Sequence, residues 1–196
     1  MRPRIGALQS AAMNTPADAV TLLTRAFAFA AHRHGGQRRN AAVEEPYLNH
    51  LTEVANLLAY ATDGGDLVLV CAGVLHDSLE DTETTDEELR TLFGPDIADL
   101  VREVTDPPGQ DESERRQRQV MHAPTLSPKA KLLKVADKTS NIRERIAHRP
   151  AALSDEQLRD YIEWGGMVVA GCRGLNDKLE DAFAEAYETA MRKYGG

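Results

Sequence analysis

The sequence predicts an all-α fold, a single compact multi-helix domain, from three observations. Helix start signals recur along the chain: a Ser, Thr, Asp or Asn followed by acids or by proline. Period-2 alternation rich in β-branched residues is hard to find anywhere. A length of 196 residues allows one domain with a substantial core and is short for two.

The elements follow in order. Thr15-Pro16-Ala17-Asp18 supplies an N-cap, a proline at the first helical position and an acid in the first turn, and Val20, Leu23, Phe27 and Ala31 then share one apolar face. "RHGGQRRN" ends that helix, and "AAVEEP" is expected as a loop. "YLNHLTEVANLLAYA" resumes helical spacing through Leu51, Val54, Leu57 and Leu58 until "TDGGD" breaks it. The next helix carries "CAGVLHDSLED". Thr85 and Glu88 form a capping-box pattern in which Glu88 reaches back to the cap, and Gly94-Pro95 stops that short helix.

"PDIADLVREVTD" begins another helix, "PPGQ" a loop, "DESERRQRQVMH" a very polar helix and "APTLSP" a second break. Ser127 and Pro128 then open the helix of "KAKLLKVADKTSNIRERI". Ser154 with Gln157 starts the last helical region, which passes Trp164, is interrupted by Gly165, Gly166, Gly171 and Gly174, and runs on to Tyr194.

Composition narrows the function. The net charge of −8, from 23 basic and 31 acidic residues, argues against a general nucleic-acid or anionic-membrane surface. Two cysteines, Cys71 and Cys172, in small or apolar surroundings make a disulfide framework or a cysteine zinc site a poor fit, and the cytoplasm is the expected location. Residues 1–14 are expected to be a mobile leader without the longer apolar core of a secretory signal, leaving 15–196 as the domain. No segment approaches the roughly 20 apolar residues of a membrane span.

Four ionisable groups crowd the end of "CAGVLHDSLED". On one continuous helix His76 would stack over Glu80 and Asp77 over Asp81, beside the apolar stripe of Leu75 and Leu79. Carboxylates at the margin of a core are costly without a positive partner. A divalent metal is the simplest one, and imidazole with carboxylate suits Mn²⁺, Fe²⁺, Co²⁺ or Zn²⁺. Asp137, set in the apolar face of Leu132, Leu133, Val135 and Ala136, reads as another ligand. A further histidine is either His50, near the start of a helix, or His32 or His34 beside the "GGQRR" break, which spacing alone does not separate.

The series "PYLNH", "VLHDSLED", "FG", "EVTD" and "KVADKTSN", in this order, resembles the HD-superfamily phosphohydrolase domain of RelA/SpoT-type alarmone hydrolases. Within that family it is most similar to the stand-alone small alarmone hydrolases, including the metazoan SpoT homologue, and the likeness runs from about Ala19 to Tyr194. The resemblance implies His50, His76, Asp77 and Asp137 as metal ligands, Mn²⁺ as the cofactor and a supporting role for His34. It also implies removal of the 3′-pyrophosphate of guanosine tetra- or pentaphosphate (ppGpp, pppGpp), leaving GDP or GTP and lowering alarmone levels in the stringent response. No synthetase block is present, so hydrolysis without synthesis is expected.

With the metal ligands so assigned, Glu80 and Asp81 are left as the catalytic pair, orienting and deprotonating the attacking water and assisting the leaving group. A densely anionic guanine nucleotide needs a focused basic site in this acidic chain. Arg39 is the preferred phosphate contact, with Arg38, Lys138 and Arg143 beside it. Tyr47 is placed to stack on the guanine or ribose and Asn141, four residues beyond Asp137, to hydrogen-bond the ribose, while Tyr161 is a weaker candidate. Two other readings remain open: an HD phosphohydrolase acting on NADPH or a deoxynucleotide, and a nucleotide-sensing module without turnover.

Overall fold

Every residue from Leu69 to Leu75 is buried, so the helix that carries them is surrounded on all sides and forms the axis of the molecule. The computed structural model describes residues 16–40 and 44–195, without the side chains of Pro16 and Asn40. The expected leader, the Thr15 cap and residues 41–43 lie outside the described residues.

The helices are α1 (Pro16–Arg33), α2 (Leu48–Ala61), α3 (Leu67–Leu75), α4 (Ser78–Asp81), α5 (Asp86–Phe93), α6 (Pro95–Val104), α7 (Glu112–His122), α8 (Pro128–Ala147), α9 (Asp155–Ala170) and α10 (Asp177–Tyr194). A 3₁₀ turn, Ala123–Thr125, joins α7 to α8. The central α3 packs against α1, α2, α6 and α8, and α8 is in turn covered by α9 and α10. Burying each Leu or Val of α3 contributes about 1.5–3 kcal/mol, which explains how a helix of only nine residues can anchor the bundle. Asp66 caps it, its side chain accepting from the Leu69 amide at 3.0 Å. Gly73 lets α2 and α3 approach closely, since a Cβ there would lie 2.7 Å from Leu58 Cδ1.

The all-α expectation holds with one small addition. The segment read as a loop contains a two-stranded antiparallel hairpin, β1 (Arg38–Asn40) with β2 (Glu45–Pro46). The chain then enters α2 through Tyr47, whose amide donates to the Gln37 carbonyl at 3.2 Å.

Three local expectations are corrected. The helix carrying the His-Asp pair is not continuous: α3 ends at Leu75, Asp77 adopts φ −91° and ψ 0°, and α4 starts afresh at Ser78. His76 and Asp77 therefore do not stack over Glu80 and Asp81 on one helical face; the kink turns the first pair inward and the second toward the rim. At α5 Thr85 caps the Glu88 amide as expected, but the Glu88 side chain pairs with Arg33 of α1 instead of reaching back to the cap. Gly165 and Gly166 do not interrupt α9, and Gly166 makes room for the Tyr187 ring, which a Cβ would meet at 2.8 Å. The reciprocal cap of Ser154 and Gln157 is present, and Asp111 with Glu114 forms another at the start of α7.

Candidate active site

His50 lies in the first turn of α2, His76 and Asp77 in the kink after α3, and Asp137 in the middle of α8. Three helices that pack on one another thus bring four side chains from distant parts of the chain to one point. His50 Nε2 lies 3.4 Å from Asp137 Oδ1 and 3.6 Å from Asp77 Oδ2. His76 Nε2 lies 3.1 Å from Asp77 Oδ2 and 3.8 Å from Asp137 Oδ1. Two ligand atoms each about 2.1 Å from one ion stand about 3.0 Å apart at a right angle and about 3.4 Å apart at the tetrahedral angle. His50, His76 and Asp137 offer donor atoms that all lie within 4.8 Å of one another, a spacing that suits one divalent ion, and Asp77 Oδ2 borders this group against both imidazoles.

Their chemistry fits as well. The His76 Nδ1 hydrogen goes to the Gly73 carbonyl at 2.9 Å, so Nε2 is the nitrogen that faces the carboxylates and that carries the lone pair whenever the ring is neutral. Burial acts against a charged His76, but Asp77 and then Asp137 outweigh it and lift its pKa to about 9. Burial would likewise raise Asp77, yet His76 and His50 hold it well below the usual carboxylate range. This is a pocket of concentrated negative charge seeking a cation.

Around these four, each remaining group is engaged. Tyr47 donates to Asp77 Oδ2 at 2.6 Å and stacks on His34, 5.3 Å between ring centres. Burial first, then the charge of Asp77, raises the Tyr47 phenol far above its ordinary pKa. Lys138 Nζ sits 3.0 Å from Asp137 Oδ2, and Asn141 donates to Asp137 Oδ1 at 2.7 Å. His34 is directed elsewhere, its Nδ1 donating to Gln37 Oε1 at 2.6 Å. His32 is exposed on α1.

Glu80 and Asp81 lie on the exposed rim in α4. Glu80 accepts from the Asp106 amide, and Asp106 is itself held by Arg118 at 2.9 Å and by Gln119. Partial enclosure of the two carboxyl groups, with the negative charge of Asp77 adding to it, raises the proton affinity of both. The Asp81 carbonyl accepts from Gln37 Nε2 at 2.6 Å, tying α4 to the end of α1.

The basic residues divide. Arg39 has a side chain only 8 % exposed, its guanidinium bonded to Glu53 at 3.2 Å and to the Ser140 carbonyl at 2.7 Å. Arg38 is exposed beside it, and Arg143, 39 % exposed, reaches Glu53 at 3.4 Å. Tyr161 packs under Arg116 and Arg145 and beside Trp164, and its ring contacts are with these groups. Asp106, Glu53 and Ser140 were not singled out by sequence reasoning. Glu53 is one turn after His50 and Ser140 one turn after Asp137, a same-face spacing that marks them as neighbours of the ligands. The two cysteines take no part: both are free, and burial pushes their thiols up to about 12 for Cys71 and about 11 for Cys172.

Comparison with known proteins gives the same region prominence. A family model described as an HD domain matches residues 26–161. A mouse protein named guanosine-3′,5′-bis(diphosphate) 3′-pyrophosphohydrolase MESH1 is 41 % identical over 85 % of this chain and 93 % of its own. The zebrafish protein of the same name is 39 % identical over 89 % and 96 %. A solved structure described as a metazoan ortholog of SpoT that hydrolyzes ppGpp superposes with a TM-score of 0.82 at 34 % identity, covering 94 % of this chain and 99 % of that one.

Proposed function

The chain belongs to the HD-domain family, and we infer that it is a metal-dependent hydrolase that removes the 3′-pyrophosphate of ppGpp and pppGpp, leaving GDP or GTP. The observation that carries this reading is the convergence of two imidazoles and two carboxylates on one point, with two further carboxylates at its rim. Relatives of nearly the same length bear the name of that activity.

His50, His76, Asp77 and Asp137 are the residues that would hold the ion, for which we propose Mn²⁺. When bound, a divalent ion supplies charge neutralisation at the phosphate and a more acidic water. The chain's own groups do the rest. Glu80, held by the Asp106 amide, and Asp81 are proposed as the pair that orients the attacking water, takes its proton and returns one to the departing 3′-oxygen. Burial raises the proton affinity of both carboxyl groups, in the direction that favours taking a proton from water. Exposed Arg38 and half-exposed Arg143 are proposed to meet the phosphates, with Arg39 and Lys138 adding positive charge from behind. Tyr47 and Asn141, bonded to Asp77 and Asp137, are proposed to meet the base and the ribose.

Such an enzyme lowers alarmone levels during starvation, and we place it in the cytoplasm, in keeping with two buried free thiols. Among the described residues no helix is long and apolar enough to cross a membrane. The test is purified protein with Mn²⁺, incubated separately with ppGpp, pppGpp, NADPH and deoxynucleotides, with products identified. Pyrophosphate release from the guanosine 3′-diphosphates is the expected result. Turnover of NADPH or deoxynucleotides alone, or tight ppGpp binding without release, would replace this reading.

A further inference from the structure

Behind His50, on the side away from the carboxylates, the hydrogen-bond count closes in only one way. Ser140 Oγ lies 2.6 Å from Glu53 Oε2, 2.8 Å from Arg39 Nη2 and 3.0 Å from His50 Nδ1. Ser140 is fully buried, so water offers no alternative partner. A serine hydroxyl has one hydrogen to give and two lone pairs to fill. Arg39 only donates, and the Glu53 carboxylate, flanked by the guanidinium groups of Arg39 and Arg143, only accepts. The hydroxyl hydrogen therefore goes to Glu53, and one lone pair takes the Arg39 N–H. The other lone pair must receive the hydrogen of His50 Nδ1.

We propose that Glu53, Ser140 and Arg39 are positioning residues that hold His50 in its Nδ1–H tautomer, leaving the Nε2 lone pair aimed between Asp77 and Asp137. The inference rests on the metal-dependent reading above and adds the device that sets one ligand's donor atom. His76 reaches the same tautomer by a shorter route, through the Gly73 carbonyl. His50 has no backbone carbonyl in that role, and the buried serine replaces it. Arg39 then has a reason for its burial: it fills the second lone pair of Ser140, so that the hydroxyl cannot reverse.

The test compares wild-type protein with Ser140→Ala and Glu53→Gln, each stripped of metal and titrated with Mn²⁺ while electron paramagnetic resonance counts the free ion. Loss of such an outer hydrogen bond weakens metal binding about 10- to 100-fold, and Ser140→Ala is expected to fall in that range. Glu53→Gln keeps the side-chain volume but brings an amide that can donate to Ser140 Oγ, turning the hydroxyl hydrogen toward His50. It is expected to weaken Mn²⁺ binding at least as much, and it serves if the alanine variant does not fold.

Two-bond ¹⁵N–¹H couplings of the His50 ring in metal-free protein at alkaline pH give the tautomer directly. Hydrogen on Nδ1 is expected in the wild type and a shift toward Nε2 in Glu53→Gln. A structural role alone would lower the melting temperature and leave both readouts unchanged. Mn²⁺ affinities within about threefold of wild type in both variants, or a wild-type ring with hydrogen on Nε2, would overturn the proposal. Absence of Mn²⁺ uptake by the wild-type protein would instead sink the metal-dependent reading, while the ring couplings still decide the tautomer.

Discussion

Replacing Lys138 by Met removes one charge from the site and keeps most of the side-chain stem. Lys138 and Asp137 are 3.0 Å apart with side chains 6 % and 10 % exposed, and the ammonium also lies 4.4 Å from the centre of the Trp164 ring. Burial acts to lower the Lys138 pKa, but the Asp137 charge outweighs it and the net shift is upward. Breaking a buried ion pair from one side costs about 3–5 kcal/mol, because the other charge is left without its partner. Asp137 keeps the Asn141 amide at 2.7 Å and its imidazole neighbours, which places the loss near the low end, about 3 kcal/mol. For a domain of this size that is about 6–12 °C in melting temperature. A bound divalent cation compensates Asp137 in the same way, so saturating Mn²⁺ is expected to narrow the gap between variant and wild type. Scanning calorimetry in chelator and in Mn²⁺ measures both gaps. A gap below about 2 °C in chelator, or one that Mn²⁺ leaves unchanged, would refute the assignment of Lys138 and Asp137 as a buried pair at the cation site.

Other outcomes follow from the same geometry. Glu80→Gln retains an oxygen to accept the Asp106 amide, and Asp81→Asn retains its shape; both are expected to fold normally and lose about 100- to 10,000-fold in kcat, and full activity in both would remove them from the chemistry. Chelation is expected to abolish turnover and Mn²⁺ to restore it. At a metal concentration 100 times Kd, binding adds about 2.7 kcal/mol, or roughly 5–11 °C, and an unmoved melting temperature would contradict a preformed site. Gly73→Val would drive a Cβ to 2.7 Å from Leu58 Cδ1, part α2 from α3 and so separate His50 from His76. A cost of about 1–3 kcal/mol by thermal denaturation is expected, together with weaker Mn²⁺ binding, and wild-type affinity would show that the close helix approach does not set the site. Trp164, the only tryptophan, lies under Lys138 and should change its emission on titration with Zn²⁺ in wild-type protein but not in Lys138→Met; equal responses would uncouple the ring from the site.

Much of the fold was legible because local rules decide it. The caps at Ser127 and Ser154, the stop at Gly94-Pro95 and the apolar run of α3 are all written in neighbouring residues. The kink at His76-Asp77 is not, since neither residue is a helix breaker; it depends on the Gly73 carbonyl capturing the His76 ring and on Asp77 turning toward His50. Glu88 answers to Arg33, a residue of α1 that no local pattern connects to it. The same limit applies at the site. The blocks containing His50, His76, Asp77 and Asp137 were visible, but which histidine meets the carboxylates is a matter of helix packing, and His34 faces Gln37 and Tyr47 instead. Arg39 reads as a surface arginine in a basic loop and lies buried because Glu53 and Ser140, far along the chain, accept its hydrogens.

The central claim is that this arrangement cleaves the bond between the 3′-oxygen and phosphorus of a guanosine 3′-diphosphate. The most direct measurement is ³¹P NMR of ppGpp incubated with the purified protein and Mn²⁺ in ¹⁸O-labelled water. The account predicts GDP and pyrophosphate, with the label in pyrophosphate, and product formation slowed about 100- to 10,000-fold in Glu80→Gln. Intact ppGpp, or stepwise release of single phosphates, would contradict it.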